Sequence, residues 1–191
     1  MDNHDLHNLI RRRRAIFPPV FTDQPISEEV ICDLLEAANW APTHRRTEPW
    51  RFQVFRGPAR ERLAAFMADT YTRLTDPAKF SDTARDKMRN NVLRSDTVIL
   101  LILQRDPQER IPEWEEVAAL GAAVQNLWLS ATAHGLGGYW STPGLIREIG
   151  PWLMLPEGQR CLGIFYLGHY EMPEIPGQRN PVEEKTVWHN H

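Results

Sequence analysis

With 191 residues the chain is long enough to bury a substantial core, and its net charge of −3 gives no overall attraction to nucleic acid or to an anionic membrane. Hydrophobic residues make up 42% and charged residues 25%, the balance of a folded domain and not of a disordered one. The two cysteines, Cys32 and Cys161, exclude a disulfide framework and a CxxC zinc or redox pair, and the longest apolar run, residues 98–103, falls far short of a membrane-spanning helix.

Leu6, Leu9 and Ile10 form a helical stripe that runs into Arg11, Arg12, Arg13 and Arg14, and Pro18-Pro19 stops the helix, so the arginines fall at its end and in the turn beyond. No apolar segment of a secretory signal accompanies this basic stretch, and a cytoplasmic protein is expected. Ser27 followed by Glu28 and Glu29 reads as an N-cap with an acidic first turn, and Ile31, Leu34, Leu35 and Ala38 carry the apolar face of a helix that ends near Ala41.

From Trp50 the pattern alternates, with Trp50, Phe52 and Val54 on one face of an expected strand and Arg51, Gln53 and Phe55 on the other. Pro58 suits the first turn of the next helix, with Leu63, Phe66, Met67 and Leu74 as its stripe, and residues 76–91 read as partly helical and exposed. Residues 97–104 are β-branched and apolar without alternation, the pattern of a central strand covered on both faces.

Val117, Leu120, Gly121, Val124, Leu127, Trp128 and Ala131 keep helical spacing up to a stop at Gly135, giving a core helix or a dimer spine. A helix cap followed by a glycine-rich turn explains Gly135 but not the whole of residues 135–144, and residues 162–167 read as a second buried strand. Pro173, Pro176 and Pro181 punctuate a tail with little core of its own. One α+β domain spanning 1–191, with a sheet between helices, is the expected architecture.

Chemistry concentrates in three places. The arginine run is either a solvated helix end or a phosphate site, since guanidinium forks bind phosphate oxygens in pairs and stay charged at any working pH. The loop from Pro42 to Pro49 contains His44, which on its own is more often solvated than functional. The segment Gly137-Gly138-Tyr139-Trp140-Ser141-Thr142 sets glycines that let backbone approach a flat ligand beside hydroxyls that can donate to it. It lacks the GxGxxG arrangement of a dinucleotide fold.

These pieces, in order, resemble the nitroreductase-like family, in its small single-domain form. The matching stretches are Arg12-Arg13-Arg14, the Ala-Pro-x-His-x-x-x-x-Pro-Trp run from Ala41 to Trp50, Gly137 to Thr142, Gly163-Ile164-Phe165-Tyr166-Leu167-Gly168, and Arg179-Asn180-Pro181-Val182-Glu183-Glu184-Lys185. The resemblance implies a mainly antiparallel sheet flanked by helices and a swapped homodimer with FMN in its interface. It also implies reduction by NADH or NADPH, and a ping-pong transfer to nitroaromatic, quinone or other conjugated small-molecule oxidants. The tail, about residues 171–191, would pack on the dimer partner.

By the same resemblance Arg12 and Arg14 meet the FMN phosphate or the flavin edge, Arg13 is a secondary contact, and Arg179 completes the anion site. His44 would come from the other subunit, and Trp140, Ser141 and Thr142 would line the flavin and phosphate side. Two positions depart from the family pattern: Arg14 stands where serine is common, and Trp40 where close relatives carry a basic residue.

Two other classes compete. Seven histidines raise metal hydrolysis, but no HExxH is present, His189 and His191 lie at the terminus, and no metal is expected. A flavin-binding or sensory protein without turnover is the stronger alternative, separated from an enzyme by NAD(P)H-dependent bleaching of the flavin.

Overall fold

The apolar run at the centre of the sequence forms the central strand of a four-stranded sheet. This computed structural model describes residues 3–173 and 176–190; residues 1 and 2, residues 174 and 175 of the tail and His191 lie outside them. In chain order the elements are α1 (Asn3–Arg12), α2 (Glu28–Asn39), β1 (Trp50–Phe55), α3 (Pro58–Leu74), α4 (Asp82–Arg94), β2 (Thr97–Gln104), α5 (Glu113–Ala133), β3 (Gly137–Ser141), α6 (Ile149–Trp152) and β4 (Gln159–Gly168). The sheet order is β1-β2-β4-β3, with every neighbouring pair antiparallel.

β2 is buried on both faces, which is why its sequence shows no polar alternation. Ile99, Leu101 and Leu103 enter a core with Leu34 of α2 and Leu120, Val124 and Leu127 of α5. Val98, Leu100 and Ile102 enter a second core with Leu63 and Met67 of α3, Val92 of α4 and Ile149 of α6. The result is an α+β sandwich of helices, sheet and helices, each buried aliphatic side chain contributing about 1.5–3 kcal/mol.

Local signals place the helices as expected. The Ser27 hydroxyl accepts from Val30 N–H at 3.3 Å at the start of α2, Pro58 opens α3, and α5 ends before Gly135 at φ +72°. Two details differ. Leu74 is half exposed, because the buried stripe of α3 runs through Leu63, Ala64, Met67 and Ala68 and has turned away by the last residue. Val54, on the face of Trp50, is 39% exposed, because β1 is an edge strand flanked on one side only.

The glycine-rich segment read as a turn is instead strand β3, paired with β4 from Gly137↔Gly168 to Ser141↔Ile164. Its glycine at 138 is required by close approach: a side chain there would lie 3.0 Å from Trp128 Nε1 and collide with the Phe165 ring. Trp128 of α5 thereby packs edge-on against Phe165 of β4, with ring centroids 5.3 Å apart.

Beyond α1 the chain runs along the outer edge of β3, where Ile16 N–H donates to Gly138 O at 3.0 Å, and then past β4, where Thr22 N–H donates to His169 O at 2.8 Å. This covers the sheet edge and ties the arginine run to it.

A buried polar corner fixes the start of α5. Glu116 is fully buried and accepts from the Arg105 guanidinium and from Asp106 N–H, the latter at 2.9 Å. Arg105 also donates to Ile111 O at 2.8 Å, while Asp106 accepts from Arg110 Nε at 2.8 Å. Those Arg110 hydrogen bonds pull the Asp106 carboxyl from its usual 3.8 down to about 2. The stability it contributes is present above the ordinary value and lost as pH falls through about 2. At the other end of the chain, every residue of 176–190 is exposed, including Val187 and Trp188.

Candidate functional site

The end of α1 and the tail meet. Ile10, Arg11, Arg13, Arg14, Gln125, Gly177 and Arg179 line a cavity of about 650 Å³. Arg13 lies over the Trp128 ring, 4.4 Å from its centroid, and its pKa is lowered first by desolvation and then by the charges of Arg179 and Arg14. Arg14 is braced by donating to Arg11 O at 2.6 Å and Arg13 O at 2.7 Å, and a side chain at Gly177 would collide with its guanidinium. Arg179 donates to Gln178 O at 2.6 Å.

Arg12 faces a second, adjoining cavity of about 610 Å³, shared with Arg11, Arg14, Asn8 and Thr132. The sequence-expected residues Arg13, Arg14 and Arg179 are thus brought to one cavity, and Arg12 to its neighbour across Arg14. Arg179 and Arg14 disfavour the charged form of Arg13, and an anion bound in the cavity would oppose that effect.

Trp140 stands across from Phe165 in the β3–β4 register and packs on the α2 and α5 side of the sheet. Trp128, which also packs on Phe165, connects it to Arg13. The indole Nε1 atoms of Trp128 and Trp140 are both buried without a hydrogen-bond partner among the described residues. Ser141 is half-buried at the end of β3, and Thr142 follows it, exposed. At about 3.3 Å per residue they stand roughly 10 Å beyond Gly138 along the strand.

His44 is elsewhere in the chain. It lies in the 3-10 turn His44–Arg46, with Nδ1 2.6 Å from Glu115 Oε2 in the first turn of α5. Glu115 and Trp128 are separated along α5 by roughly 20 Å at about 1.5 Å per residue, so His44 does not reach the arginine cavity of its own chain.

The loop carrying His44 is pinned at both ends. Trp50 Nε1 donates to Asn39 Oδ1 at 3.0 Å, Gln104 N–H to Pro49 O at 2.7 Å, and Glu48 N–H to Thr43 Oγ1 at 3.1 Å. Between these anchors Arg45, Arg46 and Glu48 adopt φ of +50°, +54° and +42°. Each such non-glycine position costs about 1–2 kcal/mol, strain of the kind that gathers at functional loops. Trp40, just before this loop, is 79% exposed and donates to Glu36 Oε1 at 2.8 Å.

Sequence reasoning missed the role of Trp128, which helical spacing marks as apolar without saying what lies over it. Gly177 was also missed, although the Pro176-Gly177 pair marks a turn where backbone can approach a side chain closely. Among the described residues no cluster of three metal-ligating side chains occurs, and no helix is long and apolar enough to cross a membrane.

Comparison with known proteins decides the family. The model of the nitroreductase family matches residues 10–169. The chain belongs to this family. A Bacillus subtilis (strain 168) protein named as an NAD(P)H nitroreductase is 32% identical over 186 residues, covering 94% of this chain and 92% of its own. A nitroreductase-like family protein from Bacillus cereus superposes with a TM-score of 0.82 at 28% identity, over 97% of this chain and 96% of that one. A Desulfovibrio desulfuricans nitroreductase structure in complex with FMN gives 0.72 at 28% identity, over 100% and 99% of the two chains. The nitroreductase-like α+β fold expected from the sequence motifs is therefore present.

Proposed function

We propose that this nitroreductase-family chain is an FMN-dependent oxidoreductase that takes hydride from NADH or NADPH and reduces nitroaromatic, quinone or other conjugated small molecules in a ping-pong cycle. The observation that carries the reading is the convergence of Arg13, Arg14 and Arg179 on one cavity against Trp128. A phosphate monoester, with a charge of about −1.5 to −2 at neutral pH, matches that crowding, and FMN ends in one. FMN in the Desulfovibrio relative and NAD(P)H in the name of the Bacillus subtilis one agree with this assignment.

Bound FMN supplies the hydride chemistry, and the protein orients it. Arg14 and Arg179 hold the phosphate, with Arg13 fixed behind them on Trp128. Arg12, in the adjoining cavity, is assigned to the flavin edge, where its fixed charge favours electron-rich states of the ring. Trp140, Ser141 and Thr142 line the ring and phosphate side.

The reading places these sites between two copies of a single domain comprising residues 1–191. The partner's His44 meets the flavin that its own chain cannot reach, and the tail lies on that partner. The exposure of every residue in 176–190 on a single copy supports this arrangement.

Denaturing the purified protein and identifying the released pigment, with light scattering on the native form, tests the assignment. FMN from a dimer is the expected result. FAD, no affinity for added FMN, or a monomer that retains flavin would contradict it.

A further inference from the structure

Arg45 and Arg46 are both exposed at the tip of the pinned loop, and among the described residues neither guanidinium has a hydrogen-bond or ion-pair partner. The nearby Glu115 carboxylate is engaged by His44. Both arginines hold left-handed backbone where glycine or asparagine would sit without strain, in a loop hydrogen-bonded through Thr43, Glu48 and Pro49, so two exposed cations stand at neighbouring positions of an anchored loop. In a chain of net charge −3 this is a local cationic point, distant along α5 from the arginines assigned to FMN.

We infer that Arg45 and Arg46 form a second oxyanion site that recruits a charged group on a substrate: the 2′-phosphate of NADPH or the carboxylate of an aromatic acceptor. The inference rests on the proposed dimer, in which this loop borders the partner's flavin. Guanidinium forks suit both groups because each presents oxygens to parallel N–H donors. A tip already held in place loses little entropy on binding.

The test compares the flavin-loaded parent with the R45N/R46N variant, asparagine being neutral and tolerant of left-handed backbone, and with R45K/R46K, which keeps the charge. Rates are measured with NADPH against NADH and with nitrobenzoate against nitrobenzene, and NADP⁺ and NAD⁺ binding is followed by calorimetry. R45N/R46N is expected to lose about tenfold or more in one of the two ratios of kcat/KM, with the uncharged member of that pair unaffected and partial recovery in R45K/R46K. A fall in the NADPH ratio with weakened NADP⁺ binding assigns the site to the coenzyme; a fall in the nitrobenzoate ratio assigns it to the acceptor. If neither ratio moves, or charged and neutral substrates weaken together, the inference is overturned. Failure of the FMN reading would be recognised separately, as a parent protein that holds no flavin.

Discussion

Replacing Glu116 by alanine is expected to destabilise the fold by about 3–5 kcal/mol, because it strands the Arg105 guanidinium and the Asp106 N–H that this buried carboxylate satisfies. Glu116 lies in the first turn of α5, the helix that carries Glu115 beside His44 at one end and Trp128 beneath Arg13 at the other. Loss of its anchor should also loosen the cofactor site. Urea denaturation followed by tryptophan fluorescence measures the first effect, and an FMN titration below the transition measures the second. A double-mutant cycle with Arg105→Ala should give clear non-additivity, since the second change removes the stranded charge. An E116A variant that unfolds at the same urea concentration as the parent would show that the corner does not hold α5.

Arg14→Ala and Arg179→Ala should each weaken FMN binding by roughly tenfold or more, the loss of a charge-assisted hydrogen bond worth about 1.5–3 kcal/mol. The two residues lie at opposite ends of the sequence yet line one cavity, with Gly177 leaving room for the Arg14 guanidinium. Neither belongs to the two hydrophobic cores, so melting temperature should change little in the flavin-free proteins. FMN titration at fixed ionic strength, repeated at higher salt, provides the measurement. If the arginines form only a solvated helix end and a loose tail, both variants bind FMN as the parent does.

The parts of this molecule that were legible in the sequence are those where one local rule dominates. The unbroken apolar run of β2 announces burial on two faces, and Ser27 with Glu28 and Glu29 marks the start of α2 without tertiary help. The arginines at the end of α1 were visible for the same reason. β3 was not, because its glycines have poor strand propensity and make room for neighbours that only the folded chain supplies, Phe21, Ile16 and Tyr170 at Gly137 and Trp128 and Phe165 at Gly138. Trp128 itself illustrates the limit of periodicity: its spacing assigns it to the apolar side of α5, but not to the place where Arg13 lies across it. The separation of His44 from the arginines likewise depends on the length of α5 and on which of its ends each segment meets.

Anaerobic mixing of the flavin-loaded protein with NADPH or NADH, no acceptor being present, tests the central claim most directly. An FMN-dependent oxidoreductase with a ping-pong cycle should lose the visible absorption of its oxidised flavin with at least one of the two coenzymes, and recover it when a nitroaromatic or quinone is then added. A flavin that stays oxidised with both coenzymes, or that is reduced only when the acceptor is already bound, would contradict the account.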